Sequence, residues 1–241
     1  MITKTQVKHI QSLDDKKYRQ EQGQFVVEGD KMLTELLLSD LEILEIYALE
    51  EWFEATTLTN CKATLIQVQP FELEKISSLT TPNKVLAIVT MPHWPSSTPT
   101  LALLLDGIQD PGNMGSIIRI ADWYGIDTVY VSETSADVFN TKVIQASMGG
   151  VFRIRVEKCD LIALMKQHHD IPSYAAVLEG NDINSFDKIT QGFIIIGNES
   201  KGVRDELKVL SQHKISIQRK GLAESLNAAV ATGIICHCMI S

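Results

Sequence analysis

Leu101-Ala-Leu-Leu-Leu-Asp-Gly-Ile-Gln-Asp-Pro-Gly-Asn-Met-Gly-Ser-Ile-Ile-Arg119 holds an apolar run, a turn and the start of a helix. Leu101 to Leu105 are apolar without alternation, the pattern of a strand buried on both faces of a parallel sheet. Asp106 to Gly112 carries the Gly and Asp-Pro-Gly punctuation of a turn. Asn113 to Tyr124 then predicts a helix, with Met114, Ile117, Ile118 and Ala121 on one side. The same grammar continues downstream. Thr128–Val131, Ala175–Leu178, Phe193–Ile196 and Lys214–Ile217 predict strands, and Ser225 to Met239 predicts a last helix. The expected unit is an α/β domain over 101–241 with a mainly parallel sheet.

Upstream, Met91-Pro-His-Trp-Pro-Ser-Ser-Thr-Pro-Thr100 has three prolines in ten positions. Proline fixes φ and lacks a donor, so this stretch continues neither a helix nor a central strand. It is expected to link the domains. Before it, Phe25–Val27, Leu41–Leu49, Lys62–Val68 and Val85–Val89 predict strands. A helix through Met32, Leu33, Leu36 and Leu37 and another over 71–78 lie between them. Residues 1–90 therefore form a first, small α/β domain.

Composition is that of a globular protein: 44% hydrophobic and 22% charged over 241 residues. No apolar run reaches the length of a membrane span, and the polar, basic first ten residues lack a signal-peptide core. A cytoplasmic location is expected. Cys61, Cys159, Cys236 and Cys238 lack the pair-of-pairs spacing of a zinc site, and no metal is assigned. The net charge of −8 is unlike a nucleic-acid binder. It conceals local clusters, however: Lys4, Lys8, Lys16, Lys17 and Arg19 near the start, and Arg153, Arg155, Arg204, Arg219 and Lys220 later.

Three loop segments follow strands, where open parallel sheets bind ligands: 106–119, 197–202 and 215–230. A dinucleotide fingerprint does not fit, because Gly112-Asn-Met-Gly115 lacks the leading glycine pair. A P-loop does not fit either, because Val203 and Arg204 follow Gly202 where Lys and Ser or Thr belong. Together the segments resemble the SpoU, or TrmH-like, family of the SPOUT methyltransferases. Asn113-x-Gly115-x-x-x-Arg119 is similar to its first motif. Ile196-Gly-Asn-Glu199-x-x-Gly202 is similar to its second, and Ser225-Leu-Asn227-x-Ala229-Val230 to its third. The stretch around Phe25–Gly29 resembles the accessory RNA-binding domain often fused in the family.

The resemblance implies a C-terminal domain knotted as a trefoil and S-adenosylmethionine as cofactor. It implies methylation of a ribose 2′-hydroxyl in structured RNA, with ribosomal RNA favoured over tRNA by the fused domain, and a homodimer whose interface helps build the site. A tRNA enzyme and a non-catalytic RNA-binding assembly factor are the alternatives. By motif position Gly197, Ile217 and Leu226 would surround the cofactor. Arg119, Asn113, Glu199, Ser225 and Asn227 would serve the reaction. Arg119 is either a base primed by phosphate or, because a guanidinium normally stays protonated, a group that orients phosphate and stabilises the alkoxide. Residue type alone also allows it an ion pair with Asp122. Asn113 is suited to capping its helix and equally to holding Arg119 or the ribose. Glu199 is placed to order the loops around Arg119. Ser225 either caps the last helix or meets substrate with Asn227. Asp106 and Asp110 invite a metal or acid–base reading, but Asp110-Pro-Gly112 is more simply a turn.

Overall fold

The structure, a computed structural model, describes residues 1–58, 61–95 and 99–240. The chain opens with two short helices, α1 (Lys4–Ser12) and α2 (Lys16–Gln22). Both have local signals that the hydrophobic pattern does not reveal. Thr3 and Gln6 form a reciprocal capping box on α1. Asp15 caps α2, and Gly23 ends it in the left-handed conformation. Then come β1 (Gln24–Glu28), α3 (Asp30–Leu37), β2 (Ile43–Ala48), α4 (Glu50–Ala55), β3 (Thr64–Gln67), α5 (Pro70–Ile76) and β4 (Val85–Thr90). The four strands order as β1-β4-β2-β3, with only β2 and β3 parallel.

The second sheet has six strands, all parallel, in the order β10-β8-β9-β5-β6-β7. They are β5 (Leu101–Asp106), β6 (Thr128–Val131), β7 (Arg155–Lys158), β8 (Ser173–Asp182), β9 (Gly192–Gly197) and β10 (His213–Ser216). Between and after them run α6 (Pro111–Trp123), α7 (Thr141–Ser147), α8 (Leu161–Gln167), α9 (Asp205–Leu210) and α10 (Ala228–Met239). The parity of β5 explains its unbroken apolar run. Leu103 and Leu105 join the core beneath α6 and α10, while Ala102 and Leu104 join Leu161, Met165 and Leu207 of α8 and α9. Burial on both faces requires apolar side chains at every position. Among the described residues no helix is long and apolar enough to cross a membrane.

Two helix starts differ from the sequence reading. α6 begins at Pro111, and Asp110 caps it by accepting from the Asn113 N–H at 2.7 Å. Asn113 lies inside the first turn, so its side chain is released for other work. Likewise α10 begins at Ala228 with Asn227 as its cap, accepting from Ala229 and Val230, so Ser225 does not cap it. Pro at the first helical position favours the earlier start of α6, since its missing N–H would go unbonded there anyway. α7, α8, α9 and β7 are too short for hydrophobic periodicity to expose.

The two α/β layers share a seam. One continuous apolar core includes Phe25, Val27 and Leu33 as well as Leu103, Ile117 and Val143. Phe25 packs on Phe139 at 4.7 Å between ring centres. Arg19, 3% exposed, donates to Asp137 and to the carbonyls of Leu13 and Asp14. Gln145 of α7 donates to the Glu28 carbonyl at 2.6 Å. The connecting stretch is tied at both ends and between them: Met91 N–H donates to Gly23, Gly192 N–H donates to the Thr100 carbonyl, and Arg155 donates to the Pro95 carbonyl. The rest of the expected linker at 96–98 lies outside the described residues.

Candidate active site

The loops at the carboxyl ends of β8, β9 and β10 enclose a cavity of about 670 Å³. One wall comes from an irregularity in β8. Lys214 of β10 pairs with Ala175, but Ile215 pairs with Asn181, so residues 176–180 loop out of the ladder. Ala176 to Glu179 of this bulge line the cavity. The expected strand at 175–178 is thus longer than its apolar residues suggest and leaves the sheet in its middle. These lining residues carry no motif in the sequence, and only the change of register reveals them.

The second wall is the turn after β9. Gly197 sits where an added Cβ would lie 2.2 Å from Gly202 C and Val203 N, so no larger residue fits without moving the turn. Asn198 organises the turn. Its side chain accepts from the Ser200 and Lys201 N–H groups and donates to the Gly107 carbonyl. Asp106, 3% exposed, fastens the far side: Arg204 donates to it from its backbone N–H at 2.9 Å and its Nε at 2.7 Å. This pairing gives Asp106 a positioning part in the turn. Asp110 is spent on capping α6.

The third wall is the segment from Ile217 to Leu226, with Ala228, Ala231 and Ile235 of α10 behind it. Among the described residues, no backbone N–H from Gln218 to Leu226 donates within the chain. Those donors are left for solvent or a ligand. Ile196, Ile217 and Leu226 give the cavity an apolar side, and Lys201, Arg219 and Lys220 stand exposed among its lining residues. Size, apolar wall and convergent backbone groups suit a ligand with one flat apolar part and one polar part. S-adenosylmethionine is such a molecule. Gly197, Ile217 and Leu226 are the residues that would hold it.

At the edge of the cavity, one residue from each of the three motif segments meets the others. Asn227 Nδ2 donates to Asn113 Oδ1 at 2.8 Å, and Asn113 Nδ2 donates to Glu199 Oε1 at 2.5 Å. The chain runs in one direction and ends on a carboxylate, the strongest acceptor available. Each link orders the next. Ser225 lines the cavity, is exposed and makes no hydrogen bond with a described residue. Arg119 is not brought into this group. It is exposed and pairs with no described residue, and Asp122 bonds to Arg153 instead. At 100° per residue, six residues place Arg119 about a third of a turn round α6 from Asn113.

The Cys236-His237-Cys238 segment lies on α10, with Cys236 buried. Burial pushes the Cys236 thiol up to about 12, far from thiolate at neutral pH. Among the described residues no group of three His, Cys, Asp or Glu is placed to hold a metal ion.

Known proteins share both halves of this arrangement. Residues 100–237 match the SpoU rRNA Methylase family, and residues 4–87 match the MRM3-like substrate binding domain. The 23S rRNA (guanosine(2553)-2′-O)-methyltransferase RlmP of Bacillus subtilis is 31% identical over 237 residues, covering 96% of this chain and 94% of that protein. A solved TrmH-family structure from Porphyromonas gingivalis superposes with a TM-score of 0.91 at 33% identity, covering 100% of this chain and 98% of the other. The SpoU methyltransferase AviRb from Streptomyces viridochromogenes, solved with the cofactor AdoMet, gives a TM-score of 0.86 at 25% identity over 98% and 97% of the two chains. With its catalytic-domain motifs joined in space and both of its domains matched, this chain belongs to the SpoU rRNA methylase family.

Proposed function

We propose that this protein transfers the methyl group of S-adenosylmethionine to a ribose 2′-hydroxyl of ribosomal RNA. The observation that carries this reading is the Asn227–Asn113–Glu199 chain on the edge of a cavity of cofactor size. The length over which the chain matches an rRNA 2′-O-methyltransferase and its paired substrate-binding domain favour ribosomal RNA as the target.

When bound, the cofactor supplies an electrophilic methyl group on a sulfonium. The protein's own work is alignment, charge and exclusion of water. Gly197 lets the turn close to the depth at which its backbone meets the ligand. Ile217 and Leu226 cover the apolar side. Asn113 and Asn227 hold Glu199 in one orientation beside the cavity, fixing the wall against which the ribose aligns. Ser225, whose hydroxyl bonds to no described residue, offers it to the substrate. Arg119 orients the RNA phosphate and stabilises negative charge as the hydroxyl loses its proton.

Arg119 completes this site from a second copy of the chain. Its position a third of a turn from Asn113 supports that assignment, as does the outer surface of α6 and α10. Trp123 is 84% exposed there, and Ile120, Val230, Gly233 and Ile234 line an open hollow beside Asn113 and Asn227. A homodimer through this face would cover it and bring each Arg119 towards the other protomer's cavity. The trefoil threading is part of the same reading. The outer-edge position of β10 and the return of α10 onto α6 support it.

The test is to incubate the protein with methyl-labelled cofactor and separately with ribosomal subunits, free 23S RNA and tRNA, and then map the labelled ribose. Ribose 2′-O-methylation at one ribosomal position is expected. Methylation of tRNA alone would overturn the target. Cofactor binding without transfer to any RNA would favour an assembly factor.

A further inference from the structure

Arg119 and Asp122 are three residues apart on α6. That spacing makes them neighbours on the helix surface and an opposite-charge pair by default. Such a pair would compete with RNA for the arginine. The structure shows a different arrangement. Arg153, just past the 3-10 turn at Gly150–Phe152, donates its Nε to both Asp122 oxygens at 3.2 and 3.1 Å and its Nη2 to Oδ2 at 2.7 Å. Its remaining Nη1 donates at 2.5 Å to Glu35 on α3, in the substrate-binding domain. A planar guanidinium fork suits two carboxylates at once, which an ammonium could not do with the same geometry. Hydrogen bonding to Asp122, and then to Glu35, holds the Arg153 guanidinium above its ordinary range. The approach of Glu35 depends on Gly149. Its φ is +89°, and an added Cβ would lie 2.8 Å from Glu35 Cβ and Cγ.

We propose that Arg153 is a positioning residue that occupies Asp122, keeping Arg119 unpaired for RNA, and that Glu35 holds it there from the neighbouring domain. This rests on the reading of Arg119 as the cation that meets the substrate. The N-terminal domain then does more than carry RNA, because it also helps set the state of the reactive helix.

The test compares full-length wild type, Arg153→Ala, Asp122→Asn and the double variant. Methyl transfer is one readout. The other is modification of Arg119 by phenylglyoxal, followed by peptide mass, which needs neither RNA nor cofactor. Arg153→Ala should lower kcat/KM about fivefold, the scale of one exposed ion pair, and slow Arg119 modification. Asp122→Asn should leave both near wild type. The double variant should recover both, because Asp122 is then no longer an anion. If the double variant stays as impaired as Arg153→Ala, or if Arg153→Ala leaves Arg119 reactivity unchanged, the proposal fails. Should Arg153→Ala not fold, Arg153→Gln with and without Asp122→Asn asks the same question, because glutamine keeps a long polar side chain but removes the cation that occupies Asp122. Wild type that transfers no methyl group while Arg119 reactivity follows the expected pattern would sink the functional reading and spare this one.

Discussion

Both domains are α/β layers that spend buried carboxylates on architecture, yet they differ in what they leave over. In the N-terminal domain three carboxylates are spent inside the domain. Glu28, 2% exposed, accepts from the hydroxyls of Ser77 and Ser78 and from the Ser78 N–H. Glu72 accepts from the N–H groups of Ile2 and Gln69, and Asp30 accepts from the Trp52 indole. In the C-terminal domain Asp106 and Asp110 are likewise spent on architecture, while the exposed Ser225 hydroxyl and Arg119 guanidinium bond to no described residue. Sheet-and-helix architecture alone therefore does not make a site. A site arises where the surrounding structure fixes polar groups without satisfying all of them.

Substitutions can break this contrast on either side. The largest effect is expected from Arg119→Ala. Methyl transfer should fall about 100- to 1,000-fold, the scale of removing a transition-state charge stabiliser. Cofactor binding by titration calorimetry and the urea midpoint should barely change. Unimpaired turnover would falsify the role given to this arginine. Next is Arg19→Ala on the structural side. It strands Asp137 in a mostly buried position, and urea unfolding should show a loss of about 3 kcal/mol. An unchanged midpoint would mean that this ion pair adds nothing to the seam.

Gly197→Ala forces a Cβ into the turn after β9, and overpacking of this kind costs about 1–3 kcal/mol. Cofactor affinity should drop about tenfold or more, with far-UV circular dichroism retained. Wild-type affinity would show that the turn can yield without disturbing the cavity. The smallest effect is expected from Asp106→Asn, which keeps an acceptor but loses the charge on the Arg204 clamp. A loss of about 1 kcal/mol for a weakened charge-assisted bond should raise the cofactor KM about fivefold. If kcat falls while KM holds, Asp106 has a part beyond fastening the turn.

The legible features are those with strong local physics. The β5 and β9 runs are buried on both faces, so their composition announces them. The three motif segments stand out because glycine, asparagine and proline mark where the backbone must turn. Less was legible where the partner lies far away in sequence. Nothing in Arg153 names Asp122 or Glu35, which are 31 and 118 positions distant. The β8 bulge exists only relative to β10. The displaced caps at Asp110 and Asn227 have a different origin. Several residues in each stretch can cap, and geometry chooses the one that frees Asn113 to reach Glu199.

The Asn227–Asn113 hydrogen bond has a kinetic side as well. It joins residues 114 positions apart, along with the packing of α10 on α6. Closing so long a loop is entropically slower than forming the local helices and the first domain's sheet, whose widest pairing, Gln24 with Thr90, spans a shorter stretch of chain. During refolding, secondary structure and the N-terminal core should therefore return first, and the capacity to bind cofactor should return as a later, separate phase. The protein would pass through a period in which it is largely folded but chemically silent.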